Sequence, residues 1–198
     1  DLGAALPTRV HLPNLEGVRE RVQAQRDADA AHFCNNQLTK DPTTLNLSFC
    51  FLSALPESVG QYANSLTTVD LSYNNLLALP AALFQLVNLG SLNISHNFLA
   101  EAGEAFGALQ QLQTLNLSHN SLRQFPALTA ASPKWTSLNV SHNHLASLPV
   151  EIGRLYRLVE FDCSFNFLAE LPKTIVEIMG RLRLNVSHNW IAHLRDIP

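Results

Sequence analysis

Six asparagines recur at a constant interval. Asn74, Asn97, Asn120, Asn143, Asn166 and Asn189 are each 23 residues apart, and Cys50 takes the same slot 24 residues before the first of them. No other feature of the chain constrains its fold so strongly. A period of this length marks a chain assembled from stacked copies of one small unit, none of which can bury its apolar side chains alone. Around the markers the text repeats almost letter for letter: LNISHNFL from Leu92, LNLSHNSL from Leu115, LNVSHNHL from Leu138 and LNVSHNWI from Leu184. Within each copy apolar residues such as Leu115 and Leu117 alternate with Asn116 and Ser118, the period of a short strand. Stacked copies would align these strands into a parallel sheet, with the intervening segments returning along the outer side. Each marker asparagine then sits just past a strand, where its amide can satisfy turn backbone that water cannot reach.

The full pattern is LxxLxLxxNxLxxLP, as in LTTVDLSYNNLLALP from Leu66 to Pro80. It resembles the leucine-rich repeat, whose consensus carries Asn or Cys at the marker slot. The resemblance covers roughly residues 42–198 in seven copies, the last incomplete. The added half LPVEIGRL from Leu148 is similar to the 23-residue cytosolic repeats of Ras-suppressor-type scaffold proteins; AGEAFGAL and FPALTAASPKW depart from it. The resemblance implies an α/β fold: a leucine-rich repeat solenoid with a curved parallel β-sheet on the concave face and helical or irregular convex segments. Residues 1–41 are expected to form an N-terminal capping region. Asn14 is a plausible N-cap there, and Leu15, Val18 and Val22 follow helical spacing. The closing HLRDIP shows no comparable cap, which predicts that more protein follows.

Bulk properties narrow the partners. A net charge of −3 is too small to argue for nucleic acid or for an acidic membrane surface as a partner, and none is expected. No apolar run reaches the ~18 residues of a membrane span. The opening DLGAALPTRV shows no signal peptide, although it also lacks an initiator Met, so a removed leader stays open. Three cysteines, Cys34, Cys50 and Cys163, are too few and too scattered for a disulfide framework. Cys163 falls on an inward leucine slot and Cys50 on the marker slot, so both read as packing residues, and Cys34 has no evident role. Asn46, Asn93, Asn116, Asn139 and Asn185 each begin an N-x-S sequon; glycans there would block the sheet, which favours a cytoplasmic location.

With the core positions assigned, four outward columns remain. The first runs Asn46, Asp70, Asn93, Asn116, Asn139, Asp162, Asn185, and the second is serine throughout, from Ser48 to Ser187. The third is Phe49, Tyr73, His96, His119, His142, Phe165, His188, and the fourth Phe51, Asn75, Phe98, Ser121, His144, Phe167, Trp190. Much of this is repeat consensus. Exposed aromatics among uncharged polar groups nevertheless resemble the centre of a protein interface. The expected partner-binding set is therefore Phe49, Phe51, Tyr73, His96, Phe98, His119, His142, His144, Phe165, Phe167, His188 and Trp190. His96, His119 and His142, placed in successive strands about 4.8 Å apart, are expected to depress one another's pKa by like-charge repulsion.

Chemistry is not expected. Parallel rings in a row do not converge on a tetrahedral zinc. Ser118 and His119 are chain neighbours in a strand and point apart, and no glycine-rich phosphate loop occurs. The chain is expected to be no enzyme, to need no cofactor or metal, and to act as a monomeric scaffold or adaptor that binds a protein or peptide on its concave face. The alternatives are a recognition or regulatory domain of a larger signalling enzyme and a secreted receptor ectodomain.

Overall fold

The computed structural model describes residues 21–22, 24–25, 28–29, 41–55, 57–103, 105–126, 128 and 134–192. Seven strands follow one another at the repeat interval: β1 (Thr44–Asn46), β2 (Thr68–Asp70), β3 (Ser91–Asn93), β4 (Thr114–Asn116), β5 (Ser137–Asn139), β6 (Glu160–Asp162) and β7 (Arg183–Asn185). They form one parallel sheet in chain order. Its register follows the repeat without slippage, so Leu45, Val69, Leu92, Leu115, Leu138, Phe161 and Leu184 stand side by side. The middle residue of β1 to β6 is buried while its neighbours face outward, which pins that register: a one-residue slip would expose the whole row.

The return segments are short 3₁₀ turns at Glu57–Tyr62, Ala81–Gln85, Ala105–Ala108, Val150–Arg154 and Lys173–Glu177. Proline starts three of them because its ring presets the backbone; Pro80, Pro149 and Pro172 have φ of −73°, −69° and −64° and accept the first turn bond from Leu83, Ile152 and Ile175. Trp135 occupies the slot filled by Leu112 and Leu158 in the adjacent copies, and its buried indole meets Phe106 edge-on at 6.4 Å. Cys163 is fully buried in the core, where burial first and the charge of Asp162 second push its thiol up to about 12. Cys50 is half-buried, and burial raises its thiol as well.

The marker asparagines stitch repeat to repeat. Asn120 accepts the N–H of Leu99 through Oδ1 at 3.0 Å and donates through Nδ2 to the carbonyls of Ile94 and Leu117 at 3.0 and 3.1 Å. Asn97, Asn143, Asn166 and Asn189 repeat this set one copy along. Asn74, which follows the Cys50 copy, accepts from both Cys50 and Leu52. Most of the expected cap lies outside the described residues. Residues 21, 22, 24, 25, 28 and 29 are helical, with Gln25 donating to Asp29 one turn on.

Candidate protein-docking face

The strands end sooner than strict alternation predicts, and this decides what the face presents. In every copy the Asn or Asp at the third strand position turns the chain. Its Oδ1 accepts the backbone N–H of the serine two residues on, at 2.9–3.2 Å in all seven copies. The serine is thereby drawn inward. Ser72, Ser95, Ser118, Ser141 and Ser164 are only 3–5% exposed, so of the expected outward serine column only the end members, half-buried Ser48 and exposed Ser187, reach solvent.

The residue after each serine takes a left-handed conformation. Phe49, Tyr73, His96, His119, His142, Phe165 and His188 have φ between 53° and 58°. For a residue other than glycine this costs about 1–2 kcal/mol, though His tolerates it better than most. Two contacts offset the cost. Each of these residues from Phe49 to Phe165 donates its N–H to the serine carbonyl of the next copy at 2.9–3.1 Å. The rings also stack. Seven of them form one unbroken ladder with centroids 4.0–4.3 Å apart and planes within 7–12°. His96, His119 and His142 therefore lie beyond the strands rather than in them, and stack more tightly than the strand spacing. Sequence reasoning found this column and set its rings parallel at the strand spacing, but missed the left-handed backbone and the closer stacking; the one advance signal is that His suits a left-handed turn.

Desolvation within the ladder is the first cause that lowers the pKa of His96 and of His119. The charge of His142 adds to it in both, and that of His96 in His119. Like-charge repulsion, expected to act alone, is the smaller contribution.

The fourth column stands clear of the ladder. Trp190 is 71% exposed, Phe51 58% and Phe98 55%. Phe167 tilts against Trp190 at 5.0 Å and against His144 at 5.7 Å. Asn75 and Ser121 leave gaps on either side of Phe98. The strand face beside these rings carries little charge: Asp70, Asp162, and Glu160 bridged to Arg183 at 3.6 Å. A shallow depression of about 310 Å³ opens there between β5 and β7, bordered by Asn139, Glu160, Asp162, Arg183 and Asn185. Among the described residues no three His, Cys, Asp or Glu side chains are placed to hold a metal, and no helix is long and apolar enough to cross a membrane. What the face offers is aromatic surface and a few fixed polar groups.

Known proteins carry the same architecture. A leucine-rich repeat protein of Leptospira interrogans superposes with a TM-score of 0.70 at 32% identity, over 74% of this chain and 37% of that one. An internalin of Listeria monocytogenes gives 0.64 at 19% identity, over 77% of this chain and 44% of that one, a likeness of fold alone. The TLR13–ssRNA13 complex gives 0.64 at 26%, over 74% and 21% respectively. Among curated proteins, the adenylate cyclase of Schizosaccharomyces pombe is 40% identical over 65 residues, which are 33% of this chain and 4% of that protein. The chain thus spans less than half the length of each of these relatives. The leucine rich repeat model matches residues 43–99 and 102–145. Matched over half its length, and with seven strands in repeat register, this chain belongs to the leucine-rich repeat family.

Proposed function

We propose that this chain is a protein-binding module whose strand side, with the ring ladder and the row from Phe51 to Trp190, is the docking face. The observation that carries this reading is the exposure of Phe51, Phe98 and Trp190 on a backbone held rigid by asparagines and stacked rings. Large aromatics on a preorganised surface lose little entropy on binding and dominate interface energetics. The chain itself catalyses nothing in this reading and works as a monomeric scaffold or adaptor. A cytoplasmic setting suits it, because the asparagines of all five sequons line the strand face and are committed to turns. The likeness of LPVEIGRL to Ras-suppressor-type repeats supports the same setting. The short match to a yeast adenylate cyclase favours a second reading, in which the module is the recognition part of a larger signalling enzyme.

The test is quantitative capture of partners from a cytosolic extract by wild type and variants. Phe98→Ala and Trp190→Ala should melt within about 0.5 kcal/mol of wild type, as exposed side chains do, yet lose most of the captured protein. Arg154→Ala, in an outer 3₁₀ turn, should lose none. Undiminished capture by both aromatic variants would end the proposal.

A further inference from the structure

Asn and Asp are equivalent for the turn that closes each strand, since either supplies the Oδ1 that accepts the serine N–H. Five copies use Asn, and two use Asp, at Asp70 and Asp162. Neither charge is needed for that turn, although the second carboxylate oxygen of Asp162 also accepts the side-chain amide of Asn185 at 3.1 Å. No unpaired cation balances them on the face: across the four columns from strand start to fourth ring, with the strand-start residues Thr44 to Arg183 included, the single cationic side chain is Arg183, already bridged to Glu160. Arg123 lies three residues past the marker Asn120, beyond the fourth column. Asp162 lies in the depression between β5 and β7, and Asp70 shares its copy with the gap at Asn75, between Phe51 and Phe98.

We propose that the face takes an extended, cationic polypeptide segment that crosses the strands and places one Lys or Arg at Asp70 and another at Asp162. This deepens the docking reading above and rests on it. The spacing follows from geometry. Asp70 and Asp162 are four strands apart, about 19 Å at ~4.8 Å per strand, which an extended chain covers in about six residues. An even separation also points both side chains the same way. The gap at Asn75 spans two strand spacings, about 10 Å, enough for a flat guanidinium or a lysine stem between two ring positions, where the ring faces attract a cation. A nucleic acid is disfavoured on the same grounds, because phosphates require unpaired Lys or Arg.

The experiment uses synthetic 13-residue peptides of Ser, Thr and Gln bearing two arginines. Titration is followed by calorimetry and by the emission of exposed Trp190, with buried Trp135 as constant background. A peptide with arginines six residues apart should bind, and moving them five apart should weaken it at least tenfold. The double variant Asp70→Asn, Asp162→Asn should keep the fold, because the other copies already carry Asn there and only the exposed Asn185–Asp162 contact is disturbed, and bind at least tenfold more weakly. Failure of the six-spaced peptide to bind, equal binding of a peptide with Glu in place of Arg, preference for a single-stranded RNA, or indifference to the double variant would each overturn the cationic assignment. If a Glu or neutral peptide binds and Phe98→Ala abolishes it, the docking face stands and only its charge preference falls. If Phe98→Ala also leaves partner capture intact, the docking reading falls as well.

Discussion

At the scale of single residues, the asparagines divide into two kinds that the sequence writes with the same letter. Asn120 is 7% exposed and bonds across two copies, whereas Asn116 faces outward and turns its own chain. Asn120→Ala orphans the Leu99 N–H, while the Ile94 and Leu117 carbonyls keep the amides of Asn97 and Asn143, so it should cost about 1–3 kcal/mol for the one buried group left unpaired. Asn143→Ala should behave alike, and Asn116→Ala should cost about 0.5–1.5 kcal/mol, the worth of one ordinary hydrogen bond. Urea unfolding that ranked Asn116→Ala as the most harmful would contradict the inward placement of the markers. The inward asparagines were legible because their slot follows the leucines. The serines were not, because alternation carried past the third strand residue places them outside, and only the side-chain-capped turn brings them in.

Among elements, the ladder joins seven separate turns into one unit, and its titration can be read directly. The folded-state pKa values of His96 and His119 lie below the unfolded ~6.5, so between the two the unfolded chain binds more protons. The associated stability is complete above about pH 6.5 and is lost as pH falls below it. Part-exposed rings are screened by water, and Asp70 and Asp162 stand in the neighbouring column, so the loss between pH 7.5 and pH 5 should be modest, of the order of 2–4 °C in melting temperature. Changing His96, His119 and His142 together to Gln should flatten that profile, and identical profiles would show that the ladder does not titrate with folding. The outer turns make a second elemental test. A Cβ on Gly153 would lie 2.7 Å from the Thr174 carbonyl, whereas at the same motif slot Gly60 faces the flexible end of Gln85 at 3.2 Å. Gly153→Ala should therefore cost about 1–3 kcal/mol as an overpacked contact, and Gly60→Ala clearly less by thermal melting.

At the scale of the whole stack, each described strand and outer turn packs only against the copies beside it, so stability is set locally along the stack. Burial weakens at the last strand: Leu184, Val186 and Asn189 are partly exposed where their counterparts in β6 are buried. Amide exchange should follow this gradient, slowest in β3 to β5 and fastest in β7, because low local burial permits opening without global unfolding. Uniform protection from β3 to β7 would mean that the stack opens only as a single unit.

The 23-residue period was sufficient to specify the number of strands, their parallel register, the inward slots of Cys163 and the marker asparagines, and the exposed row from Phe51 to Trp190. Each of these depends on a residue's place within one copy, and a repeat writes that place directly into the chain. The stacking of the rings, their left-handed backbone and the burial of the serines depend on how the turn after each strand meets the next turn. Consensus letters name the residues there but not the angle at which they leave the sheet. The charge layout belongs to the tertiary structure in the same way: Asp70 and Asp162 are 92 positions apart in the chain, and only the stacking of four intervening strand steps makes them two anions on one surface.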